Sequence, residues 1–383
     1  MNTWLEISRG AVEQSVMNYR KMAPGSAFFG VVKSNAYGHG LQEMTEILKP
    51  LHARGDVSGL AVNAVFEALA LRSFGYTGTV LIMGRNGDED YRDIPESESD
   101  FHMVLSTVDD IRALQSIRPL PFHLKVDTGM SRLGLHGKAF EEVLDFLSSR
   151  PSLPWRGLMT HFANVEDVMD QGYGRMQLAR FEQAMDRARA VFRTSGFTGE
   201  LICHSAASAP AMLLPESRQH WIRVGISLYG FWPSSSTRLS ARTVFAEMPE
   251  FRPALAWKSR VVHINRVEAG TDVGYGCTFR TPAPTTIAVI PVGYYEGYDR
   301  SLSNRAHVLI RGKRAQILGR VCMNMIMVDV TSIPECEPGD VATLIGLDGQ
   351  ESISADELAD LAGTINYEVV TRIEPGIPRI IVD

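Results

Sequence analysis

Along the first 230 positions, apolar residues come in short runs, and between the runs they recur at helical spacing. The runs are AFFGVVK (27–33), GLAVN (59–63), TVLIMG (79–84), FHMVLS (101–106), FHLKVD (122–127), RGLMTHF (156–162), ELICHS (200–205) and WIRVGIS (221–227). Stretches such as RGAVEQSVMNYRKMA, NAVFEALALRSFG, TVDDIRALQSI and KAFEEVLDFLSS read as the amphipathic helices between them. Thr107, ahead of Asp109 and Asp110, supplies a helix N-cap with acidic residues in the first turn. Strand–helix alternation predicts a parallel sheet, and eight units predict its closure into a (β/α)8 TIM-type barrel. An open doubly wound sheet usually has fewer strands and a G-x-G-x-x-G after the first, and that motif is missing here.

The pattern changes near residue 235. PSSSTRLSA (233–241) is polar and turn-rich and reads as a linker. Beyond it, β-rich runs separated by Gly, Pro and Asn/Asp turns predict a mostly antiparallel C-terminal β domain. One helix is expected there, SADELADLAG (354–363), with a Ser cap and a Gly stop. The expected division is 1–238 for the barrel and 239–383 for the β domain.

The chain is 45% hydrophobic and 21% charged, enough for sizeable cores. A net charge of −6 argues against a general nucleic-acid binder. The N-terminus shows no signal-peptide pattern, and no apolar run approaches the roughly 20 residues of a membrane span. A cytoplasmic enzyme is expected. Cys203, Cys277, Cys322 and Cys336 form no C-x-x-C pair and no zinc-site spacing, so free buried thiols and no metal are expected.

In such barrels, chemistry gathers at the C-terminal ends of the strands. The first strand ends at Lys33, and the fifth at Lys125 and Asp127, with Arg132 close behind. The sixth ends at His161 and the seventh at His204; the eighth carries Arg223 and then Gly225 and Ile226. One polar residue at a strand end is usually structural; their recurrence at one rim points to a site. A lysine desolvated at a barrel mouth has a lowered pKa and can attack a carbonyl to form a Schiff base. The segment HSAASAP offers Ser205 and Ser208 with small neighbours, in the loop position where these barrels often bind phosphate. A carbonyl-reactive lysine together with a phosphate cup suggests pyridoxal 5'-phosphate (PLP).

VVKSNAYGHG, KVDTGMSRLG, THFAN, WIRVGISLYG, VGYGCTF, PVGYYEGY, GRVCMN and INYEV resemble, in order, the motifs of the bacterial alanine racemases, fold-type III PLP enzymes, and cover nearly the whole chain. The resemblance implies an isomerase that interconverts L- and D-alanine and provides D-alanine for peptidoglycan. It also implies a homodimer with shared active sites. It makes Lys33 the cofactor lysine and one catalytic base, and Tyr275, from the other subunit, the second. Tyr37, Ser208, Gly225, Ile226 and Tyr367 would hold the phosphate, and Arg223 would face the pyridine nitrogen. His161 would back Arg223 and Tyr275. Arg132 would support the cofactor's phenolic oxygen, Met323 would bind the substrate carboxylate through its backbone N–H, and Tyr294 would line the entrance. Lys125 matches a lysine often carbamylated in this family.

Two bases suit racemisation, which removes a proton from one face of a carbon and returns one to the other. Lys and Tyr titrate near 10 in water, so both need lowering. Two positions depart from the family pattern: Asn324 replaces a common Asp, and Ala207 a common Asn. Asn324 removes a charge near the substrate-carboxylate site, which leaves open a broader or shifted specificity, serine included. A fold-type III decarboxylase shares the architecture but usually places a glutamate where Arg223 stands. A barrel-only PLP carrier lacks the second domain.

Overall fold

The structure is a computed structural model describing residues 2–166 and 170–383. By contacts the chain forms two compact units. One comprises Val12–Ser34 and Met44–Arg252; the other comprises the residues up to Ala11, Asn35–Glu43 and Pro253–Asp383.

The first strand of the chain, β1 (Thr3–Ser8), belongs to the second unit. The first unit is built on eight parallel strands: β2 (Ala27–Val31), β3 (Gly59–Val62), β4 (Thr79–Ile82), β5 (Phe101–Leu105), β6 (Phe122–Lys125), β7 (Trp155–Met159), β8 (Ile202–His204) and β9 (Trp221–Val224). Their order, β8-β7-β6-β5-β4-β3-β2-β9, makes a nearly closed barrel. The seam between β8 and β9 is bridged by His220 N to Cys203 O (3.1 Å) and Arg223 N to Ala206 O (2.9 Å). All eight expected strands are present, within two residues of the expected starts. The strands are buried almost throughout, which is why they read as continuous apolar runs rather than alternating ones. Helices cover them through single stripes; Gly137–Ser148 buries Phe140, Val143, Leu144 and Leu147, the i, i+3, i+4, i+7 set. Thr107 Oγ1 accepts from Asp110 N at 2.9 Å, the expected cap.

Residues 233–241 are not a linker. Ser235–Val244 is a helix of the barrel unit, and the chain passes to the other unit at Arg252/Pro253. Its buried face is Thr237, Ser240 and Ala241, small and mostly polar residues, while the larger apolar Leu239 and Val244 are exposed. The signal that was there is Ser234, whose Oγ accepts from Thr237 N at 3.0 Å.

In the second unit, β1 pairs antiparallel with Leu255–Arg260 and parallel with Arg379–Val382, joining residues at opposite ends of the sequence. The sheet continues through Val341–Asp348 and His307–Ile310 to Lys313–Gln316, with every further pair antiparallel. A three-stranded antiparallel sheet and a short hairpin, Asp272–Val273 with Phe279–Arg280, complete the β structure. The helix Ala355–Ala362 starts at Ser354, which caps Glu357 N, and stops at Gly363 with φ +74°. Among the described residues no helix is long and apolar enough to cross a membrane. Of the four cysteines only Cys203 is fully buried and Cys277 is exposed, so the expectation of buried thiols holds for one.

Candidate active site

Lys33 follows β2 after one residue, Val32, and opens a helical turn, Lys33–Tyr37. Ser34, Asn35, Ala36 and Tyr37 all have φ between +51° and +56°, so this turn is left-handed. Side-chain-bearing residues pay roughly 1–2 kcal/mol each for that conformation. Hydrogen bonds offset it: Asn35 Oδ1 accepts from Leu41 N at 2.8 Å, and Asn35 O accepts from Gly40 N at 3.0 Å. Gly38 is required, because a Cβ there would lie 1.9 Å from Val370 O.

Ser34 N donates to Glu67 Oε1 at 2.5 Å. The other carboxylate oxygen accepts from Asn63 N (2.7 Å) and Ala64 N (3.1 Å), the reach-back of a residue in the first turn of the helix Val65–Ser73. Glu67 is buried and ties the start of that helix to the peptide after Lys33. Nothing in the local sequence marks this role.

Burial lowers the Lys33 ammonium pKa, Arg132 lowers it further, and Glu67 opposes them. Lys125, at the end of β6, is pushed down to about 8 by burial, then Arg132 and Arg223, with Asp127 opposing. Asp127 Oδ1 accepts from Gly129 N, Met130 N and Ser131 N at 2.9, 2.9 and 3.1 Å, which sets the turn leading to Arg132. Burial works against the Asp127 carboxylate, but these amides hold it below the usual range. His161 is pushed down to about 3 by burial and by Arg223, Arg132, Lys125 and Lys33, so it stays neutral. The structure thus brings Lys33, Lys125, Arg132, His161 and Arg223 within electrostatic reach of one another, a cationic mouth.

Arg223 is buried and points into the barrel. Its guanidinium donates to His204 Nδ1 (2.6 Å), Thr160 O (2.8 Å) and Ser205 O (3.0 Å), all neutral acceptors. Among the described residues no carboxylate pairs with it, and burial lowers its pKa to about 10. Ser208 Oγ accepts from Gly225 N at 3.0 Å, which joins the loops after β8 and β9; Ile226 is buried beside them.

The remaining expected residues lie in the β unit. The Tyr37 and Tyr367 rings sit 6.1 Å apart, and burial pushes the Tyr37 phenol up to about 12, so it stays a donor. Tyr275 sits at the tip of the hairpin, 72% exposed, between Gly274 and Gly276. A Cβ at Gly276 would meet the Arg320 guanidinium at 2.9 Å. The segment after Arg320 also carries Met323 and binds the Tyr294 loop: Tyr294 N donates to Cys322 O (3.1 Å) and Tyr295 N to Met323 O (2.9 Å). Tyr275, Met323 and Tyr294 are therefore organised on one exposed stretch.

The departure at Asn324 has a local partner. Its Nδ2 donates to Glu296 Oε1 at 2.7 Å, and Glu296 Oε2 accepts from Gly293 N at 2.8 Å. An aspartate could not donate. Asn324→Asp is expected to set two carboxylates against each other, cost about 1 kcal/mol at this exposed position, and raise KM about fivefold with kcat unchanged. Initial-rate kinetics over a substrate series check this. Ala207, the other departure, precedes Ser208 at the start of a short helix and adds no side-chain hydrogen bond.

Residues 7–233 match the family model described as alanine racemase, N-terminal domain, and residues 254–381 the one described as alanine racemase, C-terminal domain. An alanine racemase of Leptospira interrogans is 44% identical over 384 residues, covering 100% of this chain and 96% of its own. One from Carboxydothermus hydrogenoformans is 37% identical, covering 99% of each. A solved alanine racemase from Bacillus anthracis with bound L-Ala-P superposes with a TM-score of 0.86 at 31% identity, covering 100% and 95% of the two chains.

Proposed function

The chain belongs to the alanine racemase family, PLP-dependent isomerases that interconvert L- and D-alanine, and we propose that it does so with Lys33 and Tyr275 as opposed bases. The observation that carries the assignment of the site is the buried Arg223, which no carboxylate among the described residues pairs, at the end of a cationic mouth that also holds Lys33. Such a mouth fits PLP, whose phosphate and phenolate bring negative charge to it. We assign the phosphate to Tyr37, Ser208, Gly225, Ile226 and Tyr367, and the phenolic oxygen to Arg132. Met323 N–H receives the substrate carboxylate, and Tyr294 lines the entrance.

PLP, when bound, supplies the electron sink that acidifies the α-C–H of the amino acid. Arg223 carries donors but no acceptor, so facing the pyridine nitrogen it leaves that nitrogen unprotonated and moderates the sink. The lowered Lys33 pKa gives a larger neutral fraction to take a proton at Nζ. Neutral His161 backs Arg223 without adding charge. Tyr275 lies in the unit that does not contain Lys33, on an exposed tip, which supports its service to a second copy of the chain in a homodimer. A cytoplasmic enzyme supplying D-alanine for peptidoglycan is the corresponding role.

Lys125 is poised for carbamylation: its neutral amine adds to carbon dioxide, forms an N–C bond and releases a proton. With a pKa of about 8, the reactive form grows as pH rises through 8. A carbamate carbon signal from protein held in 13C-bicarbonate should grow over that range and vanish in Lys125→Ala; a signal that ignores the substitution refutes the assignment.

The function itself is tested by incubating purified protein with a panel of L-amino acids and resolving products by chiral chromatography. D-alanine should form fastest. Carbon dioxide release without D-product would instead mark a decarboxylase.

A further inference from the structure

The barrel interior beneath Arg223 holds a chain of imidazoles in place of the usual aliphatic filling. Arg223 Nη1 meets His204 Nδ1 at 2.6 Å, His204 Nε2 meets His123 Nδ1 at 2.9 Å, and His123 Nε2 meets His102 Nδ1 at 3.0 Å. These three histidines come from β8, β6 and β5. His123 and His204 are fully buried; His102 is partly exposed, within electrostatic reach of Asp100 and Arg156.

Hydrogen-bond direction along this chain is forced. Arginine only donates, so His204 Nδ1 accepts and the proton of a neutral His204 sits on Nε2. That proton is donated to His123 Nδ1, which places the His123 proton on Nε2. The same step fixes His102. All three rings are therefore neutral Nε2–H tautomers, aligned with their acceptor nitrogens toward the guanidinium. Burial, which drives the pKa of His123 and His204 well below the ordinary value and that of His102 to about 4, agrees with neutrality.

Two features show that the fold makes room for this chain. Gly157 on β7 faces His123: a Cβ there would lie 2.0 Å from Nδ1, with no positive φ to explain the glycine otherwise. Trp221 lies against all three imidazoles, with centroids 6.0, 5.0 and 5.1 Å from His102, His123 and His204, and stacks on Phe29 at 4.0 Å.

We propose that His123 and His102 are positioning residues for the reaction: with His204 they form a directional three-imidazole relay that orients Arg223 and stabilises its charge. Each aligned bond polarises the next, so the effect at Arg223 exceeds that of His204 alone. The inference rests on the reading that Arg223 faces the pyridine nitrogen. A better-held cation keeps that nitrogen free of a proton and limits abortive transamination.

Long-range 1H–15N correlation spectra of the imidazole-labelled holoenzyme test it. His102, His123 and His204 should each show a protonated Nε2 and a bare Nδ1 from about pH 6 to about pH 9, around the range where free histidine titrates. A protonated Nδ1 or a titrating ring among them overturns the relay. His123→Leu should lower kcat about tenfold with KM within about twofold, and raise transamination events per turnover about tenfold. His123→Gln, which can both accept and donate, should stay within about threefold of wild type on both measures. Equal losses in Leu and Gln, or none in Leu, overturn the role. The tautomer spectra keep the idea falsifiable if His123→Leu does not fold. If the wild-type protein fails to racemise alanine while the tautomers are as stated, it is the reading of function that fails.

Discussion

Lys33→Ala should abolish racemisation, by at least roughly 10³-fold in kcat, and remove the visible absorbance of the covalently held cofactor. In the proposed mechanism two losses combine in one substitution, the amine that would anchor PLP and the base on one face of the substrate carbon. Lys125 shares the mouth but should not substitute, since it extends from the end of another strand, β6, among Arg132, Arg223 and Asp127. The protein itself should not suffer. Lys33 is a desolvated cation in a cationic cluster, so truncating it relieves repulsion, and the melting temperature of the cofactor-free form should stay level or rise. Lys33→Arg keeps the charge but offers no neutral amine at working pH, and should be equally inactive. An Ala variant that keeps a borohydride-sensitive absorbance would show that another lysine carries the cofactor.

The barrel was legible because its strands are short, buried runs separated by helices with one apolar stripe, and each such signal is local. The strand Thr3–Ser8 was not: TWLEIS carries a half-buried pattern, and its partners are more than 240 residues away, so nothing nearby in sequence marks it. Lys33, Lys125, Arg223 and Ser208 could be picked out because ionisable or hydroxyl residues at strand ends are anomalous. Glu67 and His123 could not be seen that way. Glu67 looks like any acidic residue in a first helical turn, and its role appears only when the Ser34 amide arrives from another strand. For His123 a faint signal existed. It sits two residues before Lys125 on β6, hence on the same face of the strand, and a face that carries one functional group invites inspection of its neighbours. The left-handed turn after Lys33 was foreshadowed only by the asparagine and glycines of SNAYGHG.

Tyr275→Phe should split the reaction by direction of proton removal. Removing the phenolic oxygen deletes one base and leaves Lys33 in place, so hydrogen exchange from L-alanine in deuterated solvent should slow by about 10²- to 10⁴-fold. Exchange from D-alanine should slow far less, because in the proposed mechanism Lys33 takes that proton. Net racemisation falls with the slower step in both directions, and exchange rather than product formation exposes the asymmetry. The fold should tolerate the change, since Tyr275 is 72% exposed on its hairpin and only an oxygen is lost. Equal slowing from both enantiomers would mean that Tyr275 organises the site without acting as one of two opposed bases. Mixed dimers give the complementary measurement. A Lys33→Ala subunit paired with a Tyr275→Phe subunit carries one site with both defects and one with neither, if Tyr275 serves the partner. Activity should then recover toward half that of the wild-type dimer. If Tyr275 serves its own subunit, every site keeps one defect and the mixture stays as inactive as its parts.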